Sequence, residues 1–330
     1  MKLEYCIKTL CMRETFSIAY GNYNQRKALV VCLSHAGKYG FGECVEINYY
    51  GINLQQFEVD LKAILPTIEK HQPESPSEFY HLLEALAIHP FLRSALDCAF
   101  WDLYGKMMNK SFAEINNLEN TISVKSSITI SIAPIANQIQ KIRESKWEHF
   151  KVKCNGLSLE NVEKLLQLDQ KIALDANASF TEKDCITLQE NPDSTKFSYI
   201  EQPLPIDHYS QLNRNQFAVW MADEDAQNAA VLQDLQPHYK AINIKLMKCG
   251  GLSPALEIIT KAKAHGFQVM LGCMTESSIG ISAACALASL LDFADLDGAN
   301  LISNDYASGS YVENGNILLS EKPGLGISLL

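Results

Sequence analysis

The chain has 330 residues, 47% of them hydrophobic, enough for one large core or two moderate ones. Its net charge of −10 argues against nucleic acid or an anionic membrane surface as a partner. No apolar run is long enough to span a membrane, and the ten cysteines form no C-x-x-C pair, so neither a zinc site nor thioredoxin-like chemistry is expected.

The first residues, Met1-Lys2-Leu3-Glu4-Tyr5-Cys6, contain no signal-peptide core. With scattered free thiols, this makes the cytoplasm the expected location. Residues 1 to about 45 read as strands. Ala28 to Leu33 is apolar and β-branched, and Gly37-Lys38-Tyr39-Gly40 is a turn, so an antiparallel meander is predicted. Phe16 to Asn24, polar, aromatic and glycine-bearing, reads as a surface loop or a lid.

Helices follow. Leu54 to Glu69 is amphipathic, and Ser75-Pro76-Ser77-Glu78 has the form of a capping box opening a helix to about Ala87. Phe91 to Tyr104 carries Leu92, Ala95, Leu96, Ala99, Phe100 and Leu103 on one stripe, with Gly105 as the expected stop. Strands followed by helices suggest an α+β unit over residues 1–115.

From Thr121 the pattern alternates strand and helix. Strands are predicted near 127–132, 149–153, 171–175, 197–201, 218–223, 241–246, 268–273 and 292–297, with seven helices between them. One of those helices starts at Ser253-Pro254 and ends at Gly266. The fold class is therefore α/β, a barrel over about 120–300. After residue 300 no eighth helix of ordinary length is expected. Gly315 to Leu319 and the tail Pro323-Gly324-Leu325-Gly326 are read as returning to the first unit's sheet, so that 301–330 completes it.

Polar residues recur where the predicted strands end: Lys153, Asp175, Glu201, Asp223 and Lys245, spaced 22, 26, 22 and 22 residues apart. A strand, a helix and two short loops need about that length. In an α/β barrel such positions form the carboxyl-terminal mouth, where active sites lie. Strand parity agrees. Lys151 and Lys153 oppose Val152, Asn243 and Lys245 oppose Ile244, and Asp295 and Asp297 oppose Leu296.

Asp175, Glu201 and Asp223 offer three oxygen donors on neighbouring strands. Clustered carboxylates repel unless a cation joins them, and hard oxygen donors without His or Cys favour Mg²⁺. Two ammonium groups at Lys151 and Lys153 are expected to ease each other's deprotonation, as a lysine base requires. Lys153 and Lys245 stand on the second and sixth of eight strands, on opposite sides of the metal. That suits removal of a proton from one face of a carbon and its return to the other. Lysine alone cannot deprotonate a carbon beside a carboxylate, so the cation must stabilise the enediolate.

These residues resemble the enolase superfamily, muconate-lactonizing subgroup, across nearly the whole chain. The matching stretches are Lys151-Val152-Lys153, Leu174-Asp175-Ala176-Asn177, Glu201-Gln202-Pro203, Ala222-Asp223-Glu224, Asn243-Ile244-Lys245 and Lys248-Cys249-Gly250-Gly251. Ala95-Leu96-Asp97 and Trp101-Asp102-Leu103 resemble the subgroup's capping-domain helix, and Pro323 to Gly326 its tail. The resemblance implies a (β/α)₇β modified TIM barrel under an α+β capping domain. It also implies Mg²⁺ held by Asp175, Glu201 and Asp223, and catalysis by Lys151, Lys153 and Lys245.

Phe293-Ala294-Asp295-Leu296-Asp297-Gly298 and Gly272-Cys273-Met274 resemble the dipeptide epimerases of this subgroup, such as the L-Ala-D/L-Glu epimerases. That implies a substrate ammonium held at Asp295 and Asp297, with Cys273, Lys151 and Thr129 also contacting substrate. Relatives acting on Ala-Glu carry an arginine in the capping loop. Here Tyr20-Gly21 stands near that place, with Arg26 further on, which leaves room for a neutral or apolar second residue.

The expected function is therefore epimerisation of an L-Ala-Xaa dipeptide at the second α-carbon. A small-molecule dipeptide is the partner, without nucleic acid or membrane, in a chain free to form a homo-oligomer. On the same template, o-succinylbenzoate synthesis and cycloisomerisation would leave Asp295 and Asp297 without a cation. N-acylamino acid racemisation would show as a preference for N-acetylated substrates. A Schiff-base lyase would need no Mg²⁺. A non-catalytic binding protein would not need both lysines and all three carboxylates.

Overall fold

The computed structural model describes residues 1–330 apart from 72 and 120. The alternating pattern of residues 2–45 folds as three antiparallel strands, β1 (Lys2–Ile18), β2 (Gly21–His35) and β3 (Lys38–Val45), in the order β1-β2-β3. The stretch expected to be a loop, Phe16 to Asn24, is instead the tip of the β1–β2 hairpin, with Ile18 paired to Gly21. The aromatic residues there favour an extended backbone, and only Ala19 and Tyr20 are left to turn.

Three helices follow: α1 (Leu54–Lys70) and α3 (Pro90–Met108) pack on this sheet, and α2 (Pro76–Ala85) packs on α3. At the start of α2 only half of the capping box forms. Ser75 Oγ accepts from Glu78 N at 3.2 Å, but the Glu78 carboxylate reaches back to Glu74 N rather than to Ser75 N. Helix α3 runs through Gly105 and ends at Asn109, which takes the left-handed conformation at φ 52°. Gly105 serves packing instead, since a Cβ there would lie 2.5 Å from Gly324 Cα.

After α4 (Phe112–Asn116) eight parallel strands follow in sequential order. They are β4 (Ile128–Ile130), β5 (His149–Lys153), β6 (Lys171–Asp175), β7 (Ile200–Glu201), β8 (Trp220–Ala222), β9 (Ala241–Lys245), β10 (Gln268–Gly272) and β11 (Phe293–Asp295). A Ser126–Ala294 bridge brings the two ends of the sheet together into a barrel. The helices between strands are α5 (Ile135–Glu144), α6 (Leu159–Leu165), α7 (Glu182–Glu190), the short α8 (Leu232–Leu235) and α9 (Leu246–Cys249), α10 (Leu252–Ala264) and α11 (Ser278–Cys285). Seven strand-to-strand helices were expected. Between β7 and β8 there is only a 3₁₀ turn, Tyr209–Gln211, because Pro203, Pro205 and Asn213 break that segment.

Inward-facing Ala173, Tyr199, Met221, Ala241 and Met270 fill the lower barrel. The outward faces pack against the helices in a separate, larger cluster. The cap has its own core, to which Met247 and Met274 contribute from the barrel loops.

The tail does not return to the sheet at the residues expected. Residues 302–304 reach β1, with Ser303 N donating to Cys11 O at 2.8 Å. The hairpin of β13 (Tyr311–Glu313) and β14 (Asn316–Leu318), which follows β12 (Ala307–Ser308), meets Lys125 below the barrel, and Gly324 bridges Ser111 beside α3. Leu325 N donates to Asp102 of α3, and the chain ends in β15 (Ser328–Leu329), paired with β12. Val312, Ile317, Leu325 and Ile327 pack into the barrel's cluster, so apolar burial draws the tail there.

Two buried cap carboxylates lock the units together. Asp97 accepts from Ser253 N and Oγ at 2.9 and 2.7 Å, at the start of α10. Glu43 accepts from Ser277 N and Oγ at 2.8 and 2.6 Å, at the start of α11, and from Tyr306 Oη. Helix N-termini present unpaired N–H groups and positive potential, which is what these carboxylates meet.

Gly42 lets β3 lie against α3, since a Cβ would stand 1.9 Å from Ala95 O. Gly42→Ala should cost about 3 kcal/mol in urea unfolding, whereas Gly37→Ala, in an open turn, should cost about 1 kcal/mol.

Burial pushes Asp97 up to about 7, against the bonds from Ser253. The folded state therefore holds this proton longer than the unfolded chain does. The resulting penalty is absent below pH 4, grows as pH rises, and is complete above about 7. Asp97→Asn should thus compare better with the wild type at pH 8 than at pH 4, by at most about 4 kcal/mol in the difference of unfolding free energies.

Candidate active site

The register of the barrel strands gathers the expected residues at one end. Lys153 is paired with Asp175, Asp175 with Glu201, and Gly272 with both Lys245 and Asp295. Lys151, Lys153, Asp175, Glu201, Asp223, Lys245, Asp295 and Asp297 are all buried, none more than 8% exposed. Lys151, Lys153, Lys245, Asp295 and Asp297, with Thr129 and Cys273, line a narrow cavity of about 40 Å³. The cap covers it with Phe16, Ile18, Arg26, Tyr49 and Tyr50.

Ion pairs organise the centre. Lys153 Nζ lies 2.5 Å from Asp175 Oδ2, and Asn177 Oδ1 accepts from it at 3.2 Å. Lys245 Nζ lies 2.8 Å from Asp223 Oδ2, while Lys248 binds Asp223 from the other side. Lys151 pairs closely with Asp295 and stands 3.5 Å from both Asp175 and Glu201.

The electrostatics differ from the sequence expectation for Lys151. Burial opposes its charge, but Asp295, Glu201 and Asp175 outweigh that and hold its pKa well above the usual lysine range. Lys151 is thus a fixed cation rather than a lysine primed by its neighbour. Lys245 is likewise raised, with Asp223 overcoming burial. Burial acts upward on Asp175 and Asp223 too, but Lys153 and Lys151 pull the first below its ordinary range, and Lys245 and Lys248 the second.

Three carboxyls show the opposite. Burial, with repulsion from Asp175 and Asp223, pushes Glu201 up to about 8. Burial and Asp223 raise Glu224 to about 7, and burial and Asp295 raise Asp297 to about 6. With all six carboxyls ionised against four lysine ammoniums, Lys248 included, two negative charges would be left over, and burial keeps them from forming without a further cation. One divalent cation would balance them.

The donor set fits Mg²⁺. Glu201 receives Asn243 Nδ2 on Oε1 at 2.7 Å, but among the described residues the buried Oε2 has no hydrogen-bond donor, only the Lys151 ammonium at 3.5 Å. That oxygen lies between Asp175 and Asp223 in the strand order, and all three residues offer only carboxylate oxygens. Among the described residues no three such side chains close on a single point, because Asp175 and Asp223 are turned onto their lysines. An ammonium is the natural substitute for a metal ion beside a buried carboxylate.

Sequence reasoning named several residues without finding the supporting role that the structure gives them. Gln202 Oε1 accepts from Asp223 N and Asp225 N, and Gln202 Nε2 donates to Asp225 at 2.8 Å, which fixes the end of β8. Its left-handed backbone, φ 34°, is the price of that position. Asn177 and Asn243 orient Lys153 and Glu201; for Asn243, the face shared with Lys245 was the available signal. Tyr20 Oη donates to Glu224 Oε1 at 3.3 Å and its ring stacks on Tyr49, so it acts behind the cavity wall. Arg26 donates to Thr275 Oγ1 at 2.5 Å and to Glu46 O at 2.8 Å, holding β2 against the barrel.

Known proteins agree with this architecture. The family model described as "Enolase C-terminal domain-like" matches residues 134–330. An L-Ala-D/L-amino acid epimerase of Maribacter sp. is 33% identical, over 97% of each chain. Another, from Flavobacterium johnsoniae, is 31% identical over the full length of both chains. Among solved structures, a dipeptide epimerase from Enterococcus faecalis complexed with Mg and L-Leu-L-Tyr superposes with a TM-score of 0.88. It is 26% identical and is matched over 99% of each chain.

If the surplus charge is what Mg²⁺ neutralises, the ion should raise the melting temperature of the wild type, by about 3 kcal/mol of added stability at a hundredfold excess over its Kd. Glu201→Gln should remove most of that shift yet be about as stable as the wild type without Mg²⁺, because burial already pushes Glu201 up to about 8 and leaves it largely uncharged at neutral pH without the ion. A thermal scan with and without Mg²⁺ measures both.

Proposed function

The chain belongs to the enolase C-terminal domain-like family, and from that membership we propose that it epimerises dipeptides, inverting the α-carbon of the second residue of L-Ala-Xaa. The observation that carries this reading is the pair of lysines, Lys153 on β5 and Lys245 on β9, flanking the three carboxylates of β6, β7 and β8. The capping unit is residues 1–115, the barrel 120–300, and 301–330 runs back between them.

One lysine takes the proton from its face of the α-carbon and the other delivers a proton to the opposite face, Lys153 and Lys245 exchanging these parts with the epimer bound. Asp175, Glu201 and Asp223 would hold Mg²⁺, which would supply positive charge against the negative charge developing on the substrate carboxylate. Lys151, kept cationic by its three carboxylate neighbours, adds fixed positive charge beside that carboxylate. The free ammonium of the dipeptide meets the aspartates at the end of β11. This favours a dipeptide over o-succinylbenzoate synthesis or cycloisomerisation, whose substrates carry no cation.

The hairpin tip shields the reaction from water. Ser17 N donates to Ser131 Oγ at 3.3 Å and Ile132 N to Ser17 O at 2.9 Å, so the tip is fastened to the barrel mouth. Lifting of this tip would widen the way into the cavity for a dipeptide. Arg26 is engaged with Thr275 and Glu46, and the rest of the cap lining is aromatic or aliphatic. Both features support an uncharged second residue. Ten free thiols and no disulfide support a reducing cytoplasm as the setting.

A library of L-alanyl dipeptides incubated in D₂O with Mg²⁺ and read by mass spectrometry should show deuterium entering the second residue. Lys153→Ala and Lys245→Ala should each lower epimerisation by at least about a thousandfold, while one epimer still exchanges its α-proton in each variant. Normal epimerisation by either variant, or full turnover after EDTA treatment, would defeat the assignment.

A further inference from the structure

The two aspartates at the end of β11 do not stand in equivalent surroundings. Asp295 has both oxygens engaged: Ser127 Oγ donates to Oδ1 at 2.8 Å, and Lys151 Nζ binds Oδ2. Its negative charge is already matched by the Lys151 ammonium. Asp297 receives Thr129 N on Oδ2 at 2.6 Å, while the nearest partner of Oδ1 is the weakly donating Cys273 thiol at 3.9 Å. No lysine or arginine lies within ion-pair distance of Asp297 among the described residues, though it is buried and lines the cavity. A buried carboxylate without a cation is costly, and an ammonium entering beside it relieves that cost.

We propose that the pair divides its work. Asp297 alone receives the substrate ammonium, while Ser127 and Asp295 form a brace that holds Lys151 in place. Ser127 is then a positioning residue, acting on the reaction only through Asp295 and Lys151.

Its location suits that role. Ser127 just precedes β4, where the barrel closes, and is 5% exposed. Its N–H donates to Ala294 O at 2.9 Å, so the backbone of the closing seam fixes the hydroxyl beneath Asp295. The braced Lys151 ammonium in turn stands 3.5 Å from Asp175 and from Glu201. Loss of the hydroxyl leaves Asp295 free to turn toward the cavity, and Lys151 loses a fixed counter-charge. The effect should fall on turnover rather than on recognition of the ammonium.

The inference rests on the dipeptide reading, and the test separates the two. The probes are the L-alanyl dipeptide that exchanges fastest in D₂O and the N-propionyl amino acid with the same second residue, which differs only in lacking the amine. Wild type should prefer the dipeptide. Asp297→Asn should cut that preference by about 30-fold or more, the usual scale for losing a buried charged partner. Asp295→Asn and Ser127→Ala should lower turnover of both probes by one common factor, leaving the preference within about threefold of wild type.

For Ser127→Ala the loss should be in kcat with KM nearly unchanged, Ser127→Thr should restore most of it, and melting temperatures should match. Adding Ser127→Ala to Asp295→Asn should cost nothing further, as expected when one residue works through the other. The proposal is overturned if Asp295→Asn abolishes the preference as Asp297→Asn does, or if the Ser127 and Asp295 effects multiply. A wild type that exchanges no dipeptide but does exchange N-acyl amino acids removes the underlying reading itself.

Discussion

An imbalance of buried charge governs the mouth of this barrel. Asp175, Glu201, Asp223, Glu224, Asp295 and Asp297 are gathered where water is nearly excluded, and only four lysines answer them. Such a cluster persists only because rigid strands hold it and a cation completes it. The rest of the fold serves that arrangement. The lower barrel is packed with Tyr199, Met221 and Met270, so the charged layer cannot collapse downward. The cap closes it from above.

The cap is held in place by the same kind of interaction, satisfied differently. Asp97 and Glu43 are buried carboxylates with no lysine partner, yet each receives at least two donors from the start of a barrel helix. Among the described residues Glu201 Oε2 has none. This contrast separates a structural carboxylate from one that awaits a ligand. It also sets the anchoring of the cap at α10 and α11 apart from that of the hairpin tip, which is tied to the barrel by one backbone bond and one bond to Ser131 Oγ at Ser17, and by Tyr20.

Spacing and parity were sufficient to locate much of the site. A step of 22 to 26 residues is the length of a βα unit, and it placed Lys153, Asp175, Glu201, Asp223 and Lys245 at one barrel end even between β7 and β8, where no α-helix forms. The i, i+2 relation put Lys151 beside Lys153 and Asp295 beside Asp297. The errors came where local preference met tertiary packing. Gly105 looked like a helix stop because glycine commonly is one, but the approach of Gly324 required it inside α3. The segment between β7 and β8 was expected to carry a helix, yet its prolines and asparagine left only a turn.

By itself, the sequence determined the alternation of strands and helices, the register of the polar residues and the chemical type of each donor, because these depend on backbone period and residue identity alone. Only the tertiary structure decided which charge meets which. Lys151 is next to Lys153 in the strand, yet its state is set by Asp295, 144 residues away, with Ser127 bonded to the same carboxylate. Whether Arg26 meets the cavity was likewise beyond the sequence: it lines the cavity while Thr275, from the loop after β10, holds its Nε. Ion pairing in a buried site depends on distances of a few ångströms between residues far apart in the chain, and no local pattern encodes those distances.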